Sequence, residues 1–172
     1  MPDSLRAAIR DVVDFPKPGI VFKDITPLLA DGALFGRAIS LLCETCGATR
    51  VDKVVGIDAR GFIFASAVAD RLGVGFVPLR KQGKLPWKTR HTAYALEYGE
   101  AILEIHEDAV KPGETVLLVD DLLATGGTAA AAAKLLDELG AKVLGISVLI
   151  ELSFLNGRSK LSPYPVHSIL TY

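Results

Sequence analysis

The order of apolar and polar positions already lays out most of the chain. Asp3-Ser4 reads as a helix N-cap, and Leu5, Ile9, Val12 and Val13 follow at helical spacing. Phe15-Pro16-Lys17-Pro18-Gly19 ends that helix as a rigid connector. Ile20 to Ile25 is a short apolar segment that Thr26-Pro27 stops, and Asp31 can cap a helix running to about Cys46. Lys53 to Ile57 predicts a strand, Gly61 to Leu72 a helix, and Gly75 to Leu79 another strand. Residues 80–91 form a basic loop. Thr92 to Tyr98 and Ala101 to His106 alternate around Tyr98-Gly99-Glu100 and predict an antiparallel hairpin.

Past the Pro112-Gly113 turn, Val116-Leu117-Leu118-Val119 is an unbroken apolar run, the pattern of a strand buried on both faces. Ala129 to Gly140 reads as an alanine-rich helix closed by glycine, and Val143 to Leu152 as a second buried strand. Gly157 to Pro165 is loop or short helix, and Val166 to Thr171 a terminal strand. Strands alternating with helices, plus one hairpin, predict an α/β fold with a central, mainly parallel sheet flanked by helices. All 172 residues are expected in one domain.

The segment Val116–Thr128 carries the chemistry. The buried strand leads into Asp120-Asp121, then into Thr125-Gly126-Gly127-Thr128 at the start of a helix. In an open α/β sheet, ligands sit at the carboxyl ends of the strands. Glycines there let successive backbone N–H groups form an anion nest, and the helix dipole adds to the field. Such a turn, with two threonine hydroxyls, suits a terminal phosphate. Two carboxylates would repel that phosphate if they touched it, so they must hold another part of the same ligand. Vicinal ribose hydroxyls fit that requirement, and the ligand implied is a ribose 5-phosphate unit.

Composition narrows the field. A net charge of −1 gives no general pull toward nucleic acid. No apolar run is long enough to cross a bilayer, and residues 1–15 lack a signal-peptide core, so a cytoplasmic address is expected. Cys43 and Cys46 have a C-x-x-C spacing open to a redox or metal reading. Two thiols alone do not close a zinc site, and small core hydrophobes are the plainer reading. No Walker-type G-x-x-x-x-G-K-[ST] occurs, and Pro78 breaks the glycine pattern that begins at Gly73. His91, His106 and His167 fall in no motif.

Val116–Thr128 resembles the phosphoribosyl-diphosphate signature of the type I phosphoribosyltransferases, position for position. The resemblance extends from about Asp14 to Tyr172 and includes the Leu149-Ile150-Glu151-Leu152 tail and the Gly157-Arg158 turn. It implies a small purine-binding hood, built from the N-terminal segment and the C-terminal region, and a flexible hairpin lid over about residues 80–106. Asp120 and Asp121 would bind the ribose, and Ala124, Thr125, Gly126, Gly127 and Thr128 the 5-phosphate.

Asp58-Ala59-Arg60-Gly61 repeats the strand end, tight turn and helix start. Alone it is also what a surface ion pair beside a helix cap looks like; the resemblance makes it the pyrophosphate loop. The run Arg80-Lys81-Gln82-Gly83-Lys84-Leu85-Pro86 is similar to that of the adenine-specific members, which puts Lys81 and Lys84 near the diphosphate. Trp87 is not demanded by that pattern; capping a closed lid and packing in a dimer contact both stay open. The resemblance makes Glu97 the proton carrier for the purine, assigns Tyr98 to ordering the lid, and counts Arg60 with them as catalytic. In the hood, Phe22 would stack on the base while the backbone of Val21 and Lys23 reads its edge.

The reaction implied is transfer of 5-phosphoribosyl from 5-phospho-α-D-ribose 1-diphosphate (PRPP) to adenine, giving AMP and pyrophosphate. Magnesium would bind mainly through PRPP rather than through a protein ligand. The same resemblance implies a homodimer, with neither nucleic acid nor membrane as partner. A PRPP-binding regulator without catalysis, and a transferase for another nucleobase, are the alternatives.

Overall fold

A computed structural model describes residues 2–96 and 99–172, Pro2 by its backbone only. The chain divides into two compact units, residues 1–41 and 42–172, each taken by itself below.

The first unit opens with α1 (Pro2–Ala7), then β1 (Arg10–Val13) and β2 (Val21–Asp24). The helix expected through Val13 therefore stops at Ala7. Arg10–Val13 instead pairs antiparallel with Val21–Asp24, bringing Val12 opposite Phe22 and Val13 opposite Val21. β-branched residues that crowd a helix fit this pleated pair better. Asp14, at φ 58°, makes the turn, and its carboxylate accepts from Gly19 N at 2.8 Å. Thr26-Pro27 does not merely stop β2. It begins α2 (Thr26–Ala30), where proline at the first turn forfeits no hydrogen bond and Asp24 accepts from Thr26 N at 2.9 Å. Asp31 caps α3 (Gly32–Glu44) as expected, accepting from Ala33 N and Leu34 N at 2.9 and 3.0 Å.

The second unit is a seven-stranded sheet in the order β5-β6-β4-β3-β7-β8-β9. Its strands are β3 (Lys53–Ile57), β4 (Gly75–Lys81), β5 (Thr89–Ala95), β6 (Glu100–His106), β7 (Thr115–Leu123), β8 (Lys142–Glu151) and β9 (Val166–Thr171). In that order, the neighbours from β4 across to β9 are parallel, and the β5–β6 hairpin adds antiparallel along the β4 edge. Val116 to Val119 are all fully buried, as an apolar run inside a parallel sheet requires.

β7 is longer than its apolar run. It continues through Asp120 and Asp121, whose stretch stays in register with β8 as far as Leu123 opposite Glu151. The acidic pair therefore stands on the strand and not after it. The basic loop shortens for the same reason, because β4 extends to Lys81 and β5 begins at Thr89.

Helix α4 (Gly61–Leu72) joins β3 to β4, and α5 (Gly127–Glu138) joins β7 to β8. From the adjacent pair β3 and β7, the two crossovers depart toward opposite edges of the sheet. That reversal is the topological switch point, where a crevice opens at the strands' carboxyl ends. α5 comes close to the sheet because its buried side includes Ala129, Ala131, Ala132 and Ala133, with Leu135 and Leu136 filling the core further on. Cys46 is buried and Cys43 half-buried; both are free, and burial is the main cause pushing each thiol's pKa up. A reactive thiolate needs the opposite shift.

Candidate active site

At the switch point a cavity of about 220 Å³ is lined by Asp58, Ala59 and Arg60 from the end of β3, and by Asp120 to Ala129 from the end of β7. The central motif and the Asp58–Gly61 turn, far apart in sequence, thus share one crevice.

Two helices begin at this crevice, and neither has a side-chain cap: α4 has Arg60 and α5 has Gly126 at the N-cap position. α3, by contrast, spends Asp31 on its first turn. In α4 the Phe62 and Ile63 N–H groups already donate to Ala59 O and Arg60 O at 3.2 and 3.1 Å. First-turn N–H groups left without an acceptor, as α5 offers, are natural partners of an anion, and both dipoles favour one there. Gly126 sits at φ +84°, and a Cβ on it would lie 2.3 Å from Gly157 O, so the loop conformation excludes any side chain at that position. A Cβ on Gly157 would in turn lie 2.2 Å from Ala124 O.

The acidic pair is tightly placed. Arg60 Nε reaches Asp121 Oδ2 at 2.8 Å, and Asp121 N donates to Asp120 Oδ1 at 2.8 Å. Asp120 packs against the start of α4 so closely that a Cβ on Gly61 would be 2.5 Å from its Oδ1. Burial, and next the charge of Asp121, pushes the Asp120 carboxyl well above the usual aspartate range. Such a group gains from a partner that donates hydrogen bonds to it.

The Asp58 side of the crevice is built from side chains already engaged. Asp58, whose peptide bond to Ala59 is cis, accepts from Arg80 Nε at 2.9 Å. Arg80 also donates through Nη1 to Lys84 O at 3.3 Å and lies 5.9 Å above the Phe62 ring. Arg80 therefore joins the Asp58 turn to the basic loop, a position that its place in a basic run does not distinguish. Gly83 N donates to the buried Glu104 at 3.0 Å, anchoring the same loop from β6. Lys81 and Lys84 are exposed and stand outside the cavity lining; Trp87 is exposed too.

Glu97 and Tyr98 lie outside the described residues. Ala95, at the end of β5, has its carbonyl oxygen where a Cβ on Gly127 would be 3.6 Å away, so the hairpin runs past the start of α5. In the first unit, Phe22 meets Phe15 edge-on with centroids 5.2 Å apart, and Lys23 Nζ binds Asp11 Oδ1 at 2.6 Å. β2 is paired by β1 in a two-stranded sheet, so it keeps an edge.

A doubly wound sheet with an uncapped glycine loop and an acid pair at its switch point defines a class. The phosphoribosyl transferase domain model matches residues 26–166, and the chain belongs to that family. Within it, the similarity runs to adenine phosphoribosyltransferases. That of Anaeromyxobacter dehalogenans is 58% identical over the whole of both chains. That of Acidothermus cellulolyticus is 60% identical over 95% of this chain and 93% of the other. The crystal structure of adenine phosphoribosyltransferase from Thermoanaerobacter pseudethanolicus superposes with a TM-score of 0.97, at 49% identity and full coverage of both chains. The Saccharomyces cerevisiae enzyme, solved with an imino-altritol bisphosphate and adenine, gives 0.94 at 41% identity over 98% of each chain.

Proposed function

We infer that this chain transfers the 5-phosphoribosyl group of PRPP to adenine, releasing pyrophosphate and forming AMP. The observation that carries the reading is the single crevice at the β3–β7 switch point, with an uncapped glycine loop and a carboxylate pair on one wall and the Asp58–Arg60 turn on the other.

The 5-phosphate takes the N–H groups of Ala124–Thr128 and the hydroxyls of Thr125 and Thr128. Asp120 and Asp121 accept from the ribose hydroxyls. That assignment is supported by the raised Asp120 carboxyl, which a pair of donating hydroxyls would relieve. Arg60, with the Asp58–Gly61 turn, Lys81 and Lys84, receives the diphosphate; for this Arg60 shares its guanidinium between Asp121 and the substrate. At the anomeric carbon the bond to diphosphate oxygen breaks and a bond to a purine nitrogen forms. The proton leaving that nitrogen passes to Glu97, and Tyr98 orders the lid. Phe22 stacks on adenine, and the backbone of Val21 and Lys23 reads its edge. The protein's contribution is positioning and charge placement.

The residues fit a magnesium ion that enters with PRPP better than a resident one. Asp58 and Asp121 each already face an arginine, and no cluster of three or more His, Cys, Asp or Glu stands among the described residues. Asp120 and Asp121 would face its water shell, and the ion would supply charge neutralisation on the diphosphate. No helix among the described residues is long and apolar enough to cross a membrane. We propose a cytoplasmic homodimer, each subunit one transferase domain whose N-terminal segment and C-terminal region supply the purine hood.

The test is pyrophosphate release with a panel of nucleobases, PRPP and magnesium. Turnover with adenine far above hypoxanthine, xanthine and orotate is expected. Tight PRPP binding without release would make the chain a regulator instead, and preference for another base would move the hood assignment.

A further inference from the structure

The phosphate loop does not stand alone. Gly157 opens a short 3-10 turn, Gly157–Lys160, and is buried against the outside of the loop. Were it alanine, its Cβ would sit 2.2 Å from Ala124 O, 2.9 Å from Gly126 N and 3.0 Å from Thr125 C. Backbone therefore rests on backbone, and any shift of Gly157 is passed directly to the peptide units that form the anion nest. The next residue fixes where Gly157 can be. Arg158 grips the buried Glu151, at the end of β8, with both prongs of its fork: Nε to Oε1 at 3.0 Å and Nη2 to Oε2 at 2.5 Å. It also donates from Nη1 to Val166 O at 2.6 Å and from Nη2 to Ser168 Oγ at 2.8 Å, and the Ser168 hydroxyl donates to Glu151 in turn. A planar guanidinium with four such contacts to β8 and β9 has one orientation.

We propose that Arg158 and Glu151 are positioning residues for phosphoribosyl binding: their ion pair clamps Gly157 against Ala124–Gly126 and so holds the 5-phosphate nest in register. The inference rests on the reading of Ala124–Thr128 as the phosphate loop. Neither side chain lines the cavity. Their effect passes through the main chain, where a misplacement of about 1 Å can cost on the order of a hundredfold in rate.

The experiment uses full-length Arg158→Ala, Arg158→Lys and Glu151→Gln proteins, with steady-state pyrophosphate release and calorimetric binding of ribose 5-phosphate. The expected result for Arg158→Ala is a KM for PRPP raised about tenfold or more. Ribose 5-phosphate should weaken in parallel, and KM for adenine should stay near wild type. Arg158→Lys, which keeps the charge and loses the fork, should fall between. A folded Arg158→Ala protein with unchanged PRPP affinity overturns the proposal. So does an equal rise in both KM values, the signature of general loosening. Should Arg158→Ala not fold, Glu151→Gln decides by the same split. If the unaltered protein itself fails to bind ribose 5-phosphate or PRPP, the parent reading falls and takes this one with it; that failure shows in the wild-type arm alone.

Discussion

β7 and β8 lie side by side, and both end in buried acid next to an arginine, yet the two ends are finished differently. At β8, Glu151 is held by both prongs of Arg158 and by Ser168, and chiefly the Arg158 hydrogen bonds draw its carboxyl below the usual glutamate range. At β7, two adjacent aspartates face Arg60, whose Nε meets Asp121, and burial pushes Asp120 the other way. The β8 end satisfies its charge within the chain. The β7 end holds two carboxylates side by side, with Arg60 on Asp121 and the Asp121 N–H on Asp120 as its partners within the chain. A carboxyl raised by burial beside a second acid in a cleft is a candidate for binding, whereas one lowered by its own arginine acts as a brace.

The largest test of this contrast removes the shape of the β7 end. Gly126→Ala would force a Cβ to within 2.3 Å of Gly157 O at φ +84°. Loss of turnover on the order of a hundredfold is expected, with circular dichroism unchanged. Gly83→Ala, also at positive φ but with nothing within 4 Å, serves as the control and should change turnover little. Equal losses in both would mean that backbone strain, not the closed fit of the nest, is what matters.

Next, Arg60→Ala strips the counter-charge from the acid pair. Leaving buried carboxylate without a partner should cost about 1–3 kcal/mol of stability, and KM for PRPP should rise. A protein whose melting temperature and KM both stay put would show that Arg60 serves neither the acid pair nor the substrate.

The smallest test is a mirrored pair of charge removals. The Asp120 carboxyl is raised in the folded state, so its contribution is lost as pH climbs from the ordinary aspartate range through the folded value. Asp120→Asn should therefore raise the ligand-free melting temperature at neutral pH. The Glu151 carboxyl is lowered, so its contribution is present above the ordinary glutamate range and lost as pH falls through the folded value. Glu151→Gln should lower the melting temperature at neutral pH. Each shift should be about 2–4 °C, corresponding to about 1 kcal/mol in a chain of this size, and both should shrink on acidification. Shifts of the same sign would erase the contrast between the two strand ends.

Much of the second unit is legible locally. Lys53–Ile57, Gly61–Leu72 and Val166–Thr171 run as their sequences imply, because a buried apolar run or a helix closed by Gly73 needs no distant partner to be recognised. The start of the chain misleads for the opposite reason. Leu5, Ile9 and Val12 keep helical spacing, but the pairing of Val12 with Phe22 is settled by a segment beyond a turn. The acid pair lies on β7 because β8 continues the ladder beside it, which no local pattern reveals. The Ala124–Thr128 glycine loop and the Asp58–Gly61 turn are legible because their defining residues are consecutive in the sequence. Gly157 and Arg80 are not. Gly157 reads as the start of a loop or short helix and, with Arg158, as a turn within the resemblance, but neither points to Ala124–Gly126; Arg80 reads as one cation among several until tertiary packing gives each its neighbour.

The alanines on the buried side of α5 have a bearing on how such a chain can diverge. Val, Ile and Leu in the sheet can trade places at modest cost as long as total volume is kept. Ala129, Ala131, Ala132 and Ala133 have no such latitude, since each exchange adds bulk between a helix and the strands it rests on. Added methylenes would lift the helix and tilt the amide cradle at its first turn. Ala129 lines the cavity as well, so bulk added there would intrude on the crevice directly, while bulk at the alanines further along would reach it only through the tilt of the helix.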